Sequence, residues 1–364
     1  MIPIYKPYLP THILKHAHDA LDSGWVSSVG KYKDLATTKL QEVVGINNIL
    51  LVNNGTSAMH LVAKALKYKY PNIRSIIVPN NVYVAAWNAF LFDRDYSLKP
   101  IDADLNTWNF NLKNLHPQTE EAILFVHNLG NIINVPNLRS VFPDTIFVED
   151  NCEGFLGKYN GRHSGTESFC SAVSFFGNKN ITSGEGGAVY VRDDDVFEYL
   201  CRCHGQGQSD KRYVHNFLGY NYRMTNIQAS ILYGQLEYLH EIIERKELVF
   251  ERYREAFKNT EGILMQDVED GAKHSNWMMG IRVINNSCYE KAEIFFGENQ
   301  IEIRPMFYPM SAHNHLLNYT HIDNELNARQ LAKECFILPS YPELKSGEID
   351  LIIKNVKKYL LELK

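Results

Sequence analysis

Short apolar runs alternate with helix-like stretches along the first half of the chain, and this alternation constrains its fold more than any other feature. The runs "NILLVNN", "SIIVPN", "AILFVHNLG" and "TIFVEDN" are largely apolar rather than alternating, which is typical of strands covered on both faces. Between them, "GTSAMHLVAKALKYK" and "VYVAAWNAFLFD" have apolar residues at helical spacing. Strands that alternate with helices predict an α/β fold with a doubly wound, largely parallel sheet.

The pattern changes after residue 226, and the change predicts a second domain. The stretch 226–257 is charged on one face and apolar on the other, so we expect one long helix that leaves the first domain. Beyond it, "WMMGIRVI" and a final amphipathic stretch indicate a smaller mixed domain. We therefore predict a large domain at 1–240 and a small C-terminal α+β domain at 241–364.

Composition and charge argue against several classes of protein. The net charge is −5 and no dense basic run occurs, which argues against a nucleic-acid binder. The sequence has no apolar run long enough to span a membrane and no signal-peptide pattern at its start. None of the six cysteines forms a C-x-x-C pair, so we predict no metal site, and reduced thiols in a cytoplasmic protein.

The first candidate for ligand binding is "LLVNNGTSAMHL". A strand ends, Gly55 permits a tight turn, and Thr56 and Ser57 open a helix. Free backbone N–H groups at the start of a helix, together with two hydroxyls, form a binding site for a phosphate. A simple helix cap is the alternative, since Ser and Thr are favoured there in any case.

The second candidate is Asp150 in "TIFVEDNCEG", at the carboxyl end of an apolar strand. Ligands of open α/β sheets bind at this edge. Because a buried carboxylate is costly unless it is paired, Asp150 needs a cationic partner, such as a protonated heterocyclic nitrogen. The alternative is an Asp that caps a helix.

The third candidate is Lys179 in "SFFGNKNITSGEGG", five residues after Ser174. Apolar and aromatic neighbours remove water from a lysine amine, which favours Schiff-base formation with a carbonyl group. The glycine-rich turn that follows is expected to let the backbone pass close to a ligand. A solvated loop lysine is the alternative, and most lysines are exposed.

Together the three candidates supply what pyridoxal phosphate (PLP) requires. Thr56, Ser57 and Ser174 would hold its phosphate, Asp150 would pair with its ring nitrogen, and Lys179 would bind its aldehyde.

The chain resembles a sugar aminotransferase of the DegT/StrS type, within the aspartate-aminotransferase fold group (fold type I) of PLP enzymes. Seven segments carry the resemblance, run in family order and cover nearly the whole chain: "SGWVSSVGKY", "NNGTSAMHL", "VEDNCEGFLGKYNGRHSGT", "SFFGNKNITSGEGG", "HNFLGYNYRMTNIQAS", "HSNWMMGIRV" and "IEIRPMFYP". By this resemblance the fold is a large domain with a mainly parallel sheet, followed by the small domain.

The resemblance also implies roles for residues around the cofactor. Lys179 corresponds to the lysine that binds PLP and moves the proton, and Asp150 to the partner of the ring nitrogen. Tyr83 falls where an aromatic ring stacks on the cofactor, and Glu153 where many members have Gln or His near its phenolic oxygen. Asn221 resembles the residue that reaches the phosphate from a neighbouring subunit, which implies a homodimer with a shared active site.

Family resemblance further suggests that two segments line the sugar site, "WVSSVG" and "RPMFYPM". Many members continue the second segment with a His where this chain has Ser311, two residues before a His of its own. The implied substrate contacts are Ser27, Ser28, Arg304, Tyr308 and His313.

The resemblance implies amination of a nucleotide-linked 4-keto-6-deoxyhexose at C-4, with L-glutamate as donor and a product of the perosamine or viosamine kind. The nucleotide (GDP, UDP or dTDP) stays open, and amination at C-3 is the alternative. A PLP-fold sugar dehydratase and a non-catalytic PLP-fold binding protein are rival hypotheses. Lys179 argues against both, since such dehydratases replace this lysine by His and such a regulator would have lost a cofactor-binding residue.

Overall fold

The computed structural model describes residues 1–284, 287–319 and 324–363. Within them the helices are α1 (Thr11–Asp22), α2 (Lys31–Val44), α3 (Gly55–Lys69), α4 (Ala85–Leu91), α5 (Val135–Val141), α6 (Asp194–Cys203), α7 (Asn226–Glu237), α8 (Leu239–Phe257), α9 (Tyr289–Glu298), α10 (Leu326–Glu334) and α11 (Ser346–Glu362). The strands are β1 (Ile49–Val52), β2 (Ser75–Pro79), β3 (Ser97–Ile101), β4 (Glu121–Val126), β5 (Ile146–Asp150), β6 (Lys158–Tyr159), β7 (Arg162–His163), β8 (Cys170–Ser174), β9 (Gly187–Val191), β10 (Ile263–Leu264), β11 (Ala272–Lys273), β12 (Met279–Val283), β13 (Arg304–Pro305) and β14 (Cys335–Leu338).

The central sheet has seven strands in the order β1-β9-β8-β5-β4-β2-β3. From β3 to β8 neighbouring strands run parallel, whereas β9 lies antiparallel between β1 and β8. Every residue of β1, β8 and β9 is buried, as expected for strands covered on both faces. The sheet is mainly parallel, which confirms the predicted α/β fold class.

Helices cover this sheet on both sides, and α3 packs directly on β8 and β9. On the other side α7 packs against α1 and α2. Gly234 of α7 permits a close approach to α1, since a Cβ at this position would lie 2.2 Å from the carbonyl oxygen of Ile13. These contacts fix the helices around the strand ends where the predicted ligand-binding residues lie.

The single long helix predicted for 226–257 is wrong. Tyr238 interrupts it with φ −107° and ψ 23°, so that α7 ends at Glu237 and α8 begins at Leu239. The ring of Tyr238 packs edge-on against His12 of α1, with 4.6 Å between ring centroids, while α8 goes on to pack with α11. The two helices thus pack against different partners, α7 against α1 and α2, and α8 against α11.

A second, smaller sheet follows in the C-terminal part of the chain. Its strands lie in the order β10-β12-β14-β13, and all of its pairs are antiparallel. Phe250 and Tyr253 of α8 share one buried apolar cluster with Phe296 of α9 and Tyr359 of α11. This arrangement is compatible with the boundary predicted near residue 240, which stays a prediction. No helix among the described residues has the length and apolarity needed to cross a membrane.

Candidate active site

A cavity of about 600 Å³ lies at the carboxyl ends of β5 and β8, between the central sheet and the smaller sheet. Ten of the residues predicted from the sequence line it: Gly55, Thr56, Tyr83, Asp150, Glu153, Ser174, Lys179, Arg304, Tyr308 and His313. Lys179 is the single lysine among its described lining residues. A groove of about 650 Å³ along α8 is slightly larger but contains none of the predicted residues. The smaller cavity is therefore the candidate active site.

The N-terminus of α3 forms one wall of this cavity. The side chain of Asn54 caps the helix, accepting the N–H of Ser57 at 2.8 Å. Gly55 lies against β8, and a Cβ there would fall 2.7 Å from Cβ of Ser174. The N–H groups of Gly55 and Thr56 have no partner among the described residues. Together with the hydroxyls of Thr56 and Ser174, this helix start fits a phosphate group. Ser57 is buried beside this wall but does not line the cavity.

Asp150, the last residue of β5, is buried at the same edge of the sheet. Its Oδ1 accepts the backbone N–H of Cys152 at 2.9 Å, which leaves Oδ2 without a backbone donor in the described part of the chain. A buried carboxylate with a free oxygen beside a cavity fits a cationic ring nitrogen.

Glu153 is a second buried carboxyl in this cavity. Its Oε2 accepts the N–H of Leu129 at 2.7 Å. Leu129 has a φ of 54°, which is uncommon for a residue other than glycine. Burial raises the pKa of Glu153 to about 7, while the charge of Lys179 acts in the opposite direction. Glu153 can therefore carry or release a proton near neutral pH.

Glu153→Gln is expected to stabilise the cofactor-free protein at pH 8 but not at pH 4. Because the folded-state pKa of about 7 exceeds the ordinary 4.5, the folded protein binds more protons than the unfolded chain in the window between these values. The stability that protonated Glu153 contributes is thus full below pH 4.5 and is lost as the pH rises through 7. A glutamine does not ionise and so does not lose this stability, a difference that we expect to be worth roughly 3 kcal/mol at pH 8. Thermal unfolding of both proteins at the two pH values measures the difference, and an equal response to pH would contradict it.

Lys179 follows β8 after a short turn that begins with two phenylalanines. Its backbone N–H donates to the carbonyl of Phe176 at 2.9 Å, and its own carbonyl accepts the hydroxyl of Tyr5 at 2.7 Å. The Nζ atom lies over the indole ring of Trp277, 3.9 Å from the ring centroid. Hydrogen bonds thus fix both the backbone N–H and the carbonyl of Lys179, and its side chain lines the cavity.

Two glycines of the glycine-rich turn after Lys179 pack closely against protein atoms. A Cβ at Gly187 would lie 2.7 Å from the carbonyl oxygen of Asn54, and one at Gly186 would meet the hydroxyl of Ser183 at 2.1 Å. These glycines allow the turn to pack against the cap of α3, and Glu185 is the residue of the turn that lines the cavity. At Gly186 and Gly187 the space is therefore filled by protein, whereas a Cβ at Gly184 would meet nothing within 4 Å, so clearance for a ligand stays a prediction at Gly184.

The open side of the cavity carries the residues predicted to bind the substrate. Arg304 is about half exposed and lies 3.8 Å from Glu302, so this ion pair is weak and leaves the guanidinium available. Tyr83 is 60% exposed, and its ring centroid lies 6.3 Å from that of Phe307. His313 packs edge-on against Trp87, with 5.5 Å between ring centroids.

Besides Ser57, three predicted residues lie outside this cavity. Asn221 is exposed, and its side-chain oxygen accepts a bond from Arg223 at 3.3 Å. The carbonyl of Ser27 accepts the N–H of Asn226, and the carbonyl of Ser28 accepts Nζ of Lys33 at 2.9 Å. These segments lie beside each other near the start of α7.

Several lining residues were not predicted from the sequence as site residues. Trp277, Met278 and Phe307 come from the C-terminal part of the chain and supply much of the apolar wall. The segments "HSNWMMGIRV" and "RPMFYP" contain them, but no local pattern indicates which of their side chains face the cavity.

Comparisons with known proteins agree with this geometry. The model of the DegT/DnrJ/EryC1/StrS aminotransferase family matches residues 7–357. The chain is 33% identical over 376 residues to the GDP-perosamine synthase of Vibrio cholerae, with 99% of each chain covered. It is 31% identical over 369 residues to the GDP-perosamine synthase of Escherichia coli O157:H7, with 98% of each covered.

Among solved structures, E. coli GDP-4-keto-6-deoxy-D-mannose-3-dehydratase with bound hydrated PLP matches with a TM-score of 0.91 at 22% identity, covering 98% of this chain and 99% of that one. At this level of identity the match establishes the fold alone, which is fold type I of the PLP-dependent enzymes.

Proposed function

Because the chain belongs to the DegT/DnrJ/EryC1/StrS aminotransferase family, we propose that it is a PLP-dependent aminotransferase that converts a GDP-linked 4-keto-6-deoxyhexose to the 4-amino-4,6-dideoxy sugar. The observation that carries the proposal is the placement of Lys179, Asp150 and the N-terminus of α3 around one cavity. The choice of GDP and of C-4 rests on the similarity to two GDP-perosamine synthases.

The side of the cavity formed by the start of α3 and the ends of β5 and β8 is called the inner wall. In this proposal its residues hold the cofactor. The N–H groups at the start of α3, with the hydroxyls of Thr56 and Ser174, bind the phosphate. Asp150 binds the protonated ring nitrogen, and the ring of Tyr83 packs on the cofactor face. Ser57 supports the helix start, and Glu153 faces the phenolic oxygen.

When bound, PLP withdraws electrons from the carbon that carries the transferred nitrogen, which makes the hydrogen on that carbon acidic. Nζ of Lys179 would hold the cofactor in the resting enzyme and, once freed by the amino donor, would accept that proton and give it back. The same amine would move a proton in the opposite direction when the sugar ketone receives the nitrogen. Met278 and Phe307 supply apolar surface to this region of the cavity.

The open side of the cavity binds the substrate. Arg304 can bind the diphosphate in a bidentate manner, and Tyr308 and His313 can contact the sugar. L-glutamate is the proposed amino donor. Ser27, Ser28 and Asn221 lie outside the cavity of their own chain, so we assign them to the active site of a second copy in a homodimer. The free cysteines fit a cytoplasmic protein, where thiols stay reduced.

The dehydratase hypothesis is disfavoured by Lys179, which would have to be replaced by His for that activity. Amination at C-3 remains the alternative within the same class of reaction.

Incubation with L-glutamate and a panel of GDP-, UDP- and dTDP-linked 4-keto-6-deoxyhexoses tests the substrate. We expect GDP-4-keto-6-deoxymannose to gain the mass that corresponds to replacement of the keto oxygen by an amine, and to do so at least tenfold faster than the UDP and dTDP sugars. Faster amination of a UDP or dTDP sugar would contradict the choice of nucleotide. Loss of the 3-hydroxyl without gain of nitrogen would support the dehydratase.

A further inference from the structure

The indole ring of Trp277 and the amine of Lys179 form a contact that the proposed roles above do not use. Nζ lies 3.9 Å from the ring centroid, within the distance at which a cation is attracted to an aromatic face. Trp277 is 6% exposed, so water competes little for this contact. Tryptophan offers the strongest such face of the aromatic residues.

Trp277 is itself held at both its side chain and its backbone. Its Nε1–H donates to the carbonyl of Asn178 at 2.9 Å, directly beside Lys179 in the chain. Its carbonyl accepts Nζ of Lys246 at 2.7 Å, and the same Nζ also donates to the carbonyl of Ser340 at 2.7 Å. Lys246 is 3% exposed and has no carboxylate within salt-bridge distance among the described residues. A buried amine is thus used to fix the backbone that carries the indole.

The residue before Trp277 is also constrained. Asn276 has a φ of 58°, and its side-chain oxygen accepts a hydrogen bond from Arg254 at 2.7 Å. Uncommon backbone conformations persist only where the surroundings enforce them, and they cluster at functional sites. The orientation of the indole toward Lys179 is therefore determined by contacts from Lys246 and Arg254 of α8 and from the backbone of Asn178.

We propose that the indole face of Trp277 stabilises the ammonium form that Lys179 takes once its released amine has accepted the proton, while Lys179 is not bound to the cofactor. The inference rests on the proposed aminotransferase reaction, in which Lys179 is released in the first half-reaction and must later return. Asp150 and Glu153 also line the cavity and compete for this cation. The indole keeps the amine at one wall of the cavity without adding a negative charge.

The equilibrium between the lysine-bound and aminated forms of the holoenzyme measures this effect. At fixed ratios of glutamate to 2-oxoglutarate, the visible and near-ultraviolet bands of the cofactor report the two forms. If Trp277 stabilises the released ammonium, Trp277→Leu needs a higher ratio for half conversion, by about 5- to 30-fold. Trp277→Phe keeps a weaker aromatic face and lacks the same N–H group as the Leu variant, so its midpoint must fall between the wild type and Trp277→Leu. A merely structural role would lower cofactor affinity in both variants and leave the midpoint ratio within twofold of the wild type, which overturns the inference.

A second readout needs no cofactor. In the cofactor-free protein, Lys179→Met should change the intrinsic tryptophan emission, because it removes a charge from the indole face. The same substitution made in a Trp277→Phe background should leave the emission unchanged. An equal change in both backgrounds, or none in either, overturns the inference. If the wild type does not respond to glutamate at all, the proposed donor fails, while the emission comparison still decides the role of Trp277.

Discussion

Lys179→Ala is expected to lower the rate of amine transfer by about 10⁴-fold or more and to abolish the visible absorption band of the cofactor-bound protein. Lys179 is the single lysine among the described lining residues of the cavity, so no neighbouring amine there can bind the cofactor or move the proton. Absorption spectra and single-turnover rates with glutamate measure the two effects.

A matched control is Lys99→Ala on β3. Nζ of Lys99 is half exposed and lies 3.3 Å from Glu121 at the surface, an interaction worth little to stability. This variant should keep both the visible absorption band and the wild-type rate of amine transfer. A coloured Lys179→Ala protein with more than about one hundredth of the wild-type rate would contradict the assignment of the catalytic lysine, since general acid–base catalysis contributes at least that factor.

Asp150→Asn is expected to lower turnover by about 10²- to 10³-fold, the effect typical of losing one preorganised electrostatic contact at a reacting group. The amide can still accept the N–H of Cys152, so the fold of the strand end should be preserved. It cannot carry the negative charge that keeps the ring nitrogen protonated, so the cofactor becomes a weaker acceptor of electrons.

Steady-state rates and cofactor dissociation constants of Asp150→Asn separate these effects. We expect a large loss of turnover with a smaller loss of affinity, and Asp150→Ala should lose more of both. An Asp150→Asn enzyme that keeps more than a tenth of the wild-type rate would show that another group fixes the charge of the ring.

The inner wall of the site could be predicted because its residues lie at or just after the ends of strands. Each of these strands is evident from its own short apolar run in the sequence. Gly55, Asp150 and Ser174 stand at or just after strand ends, and parallel strands bring such ends to one edge of the sheet. The chemistry of the site then follows from residue types that a short stretch of sequence reveals.

The apolar wall could not be predicted in the same way. Trp277 and Phe307 reach the cavity through packing of the smaller sheet against the central one, and nothing in their own segments fixes that packing. The break at Tyr238 likewise depends on contacts between distant helices rather than on a local breaker such as proline. Glycines 186 and 187 were predicted to give space to a ligand, but a sequence cannot distinguish that use from close packing against Asn54.

Transfer of ¹⁵N from labelled L-glutamate to GDP-4-keto-6-deoxymannose tests the proposed reaction most directly. The account predicts a product in which nuclear magnetic resonance places the label on C-4 of the sugar, with one labelled nitrogen gained for each 2-oxoglutarate formed. Label on C-3 would overturn the assigned position. Consumption of the sugar without incorporation of label would contradict amine transfer itself.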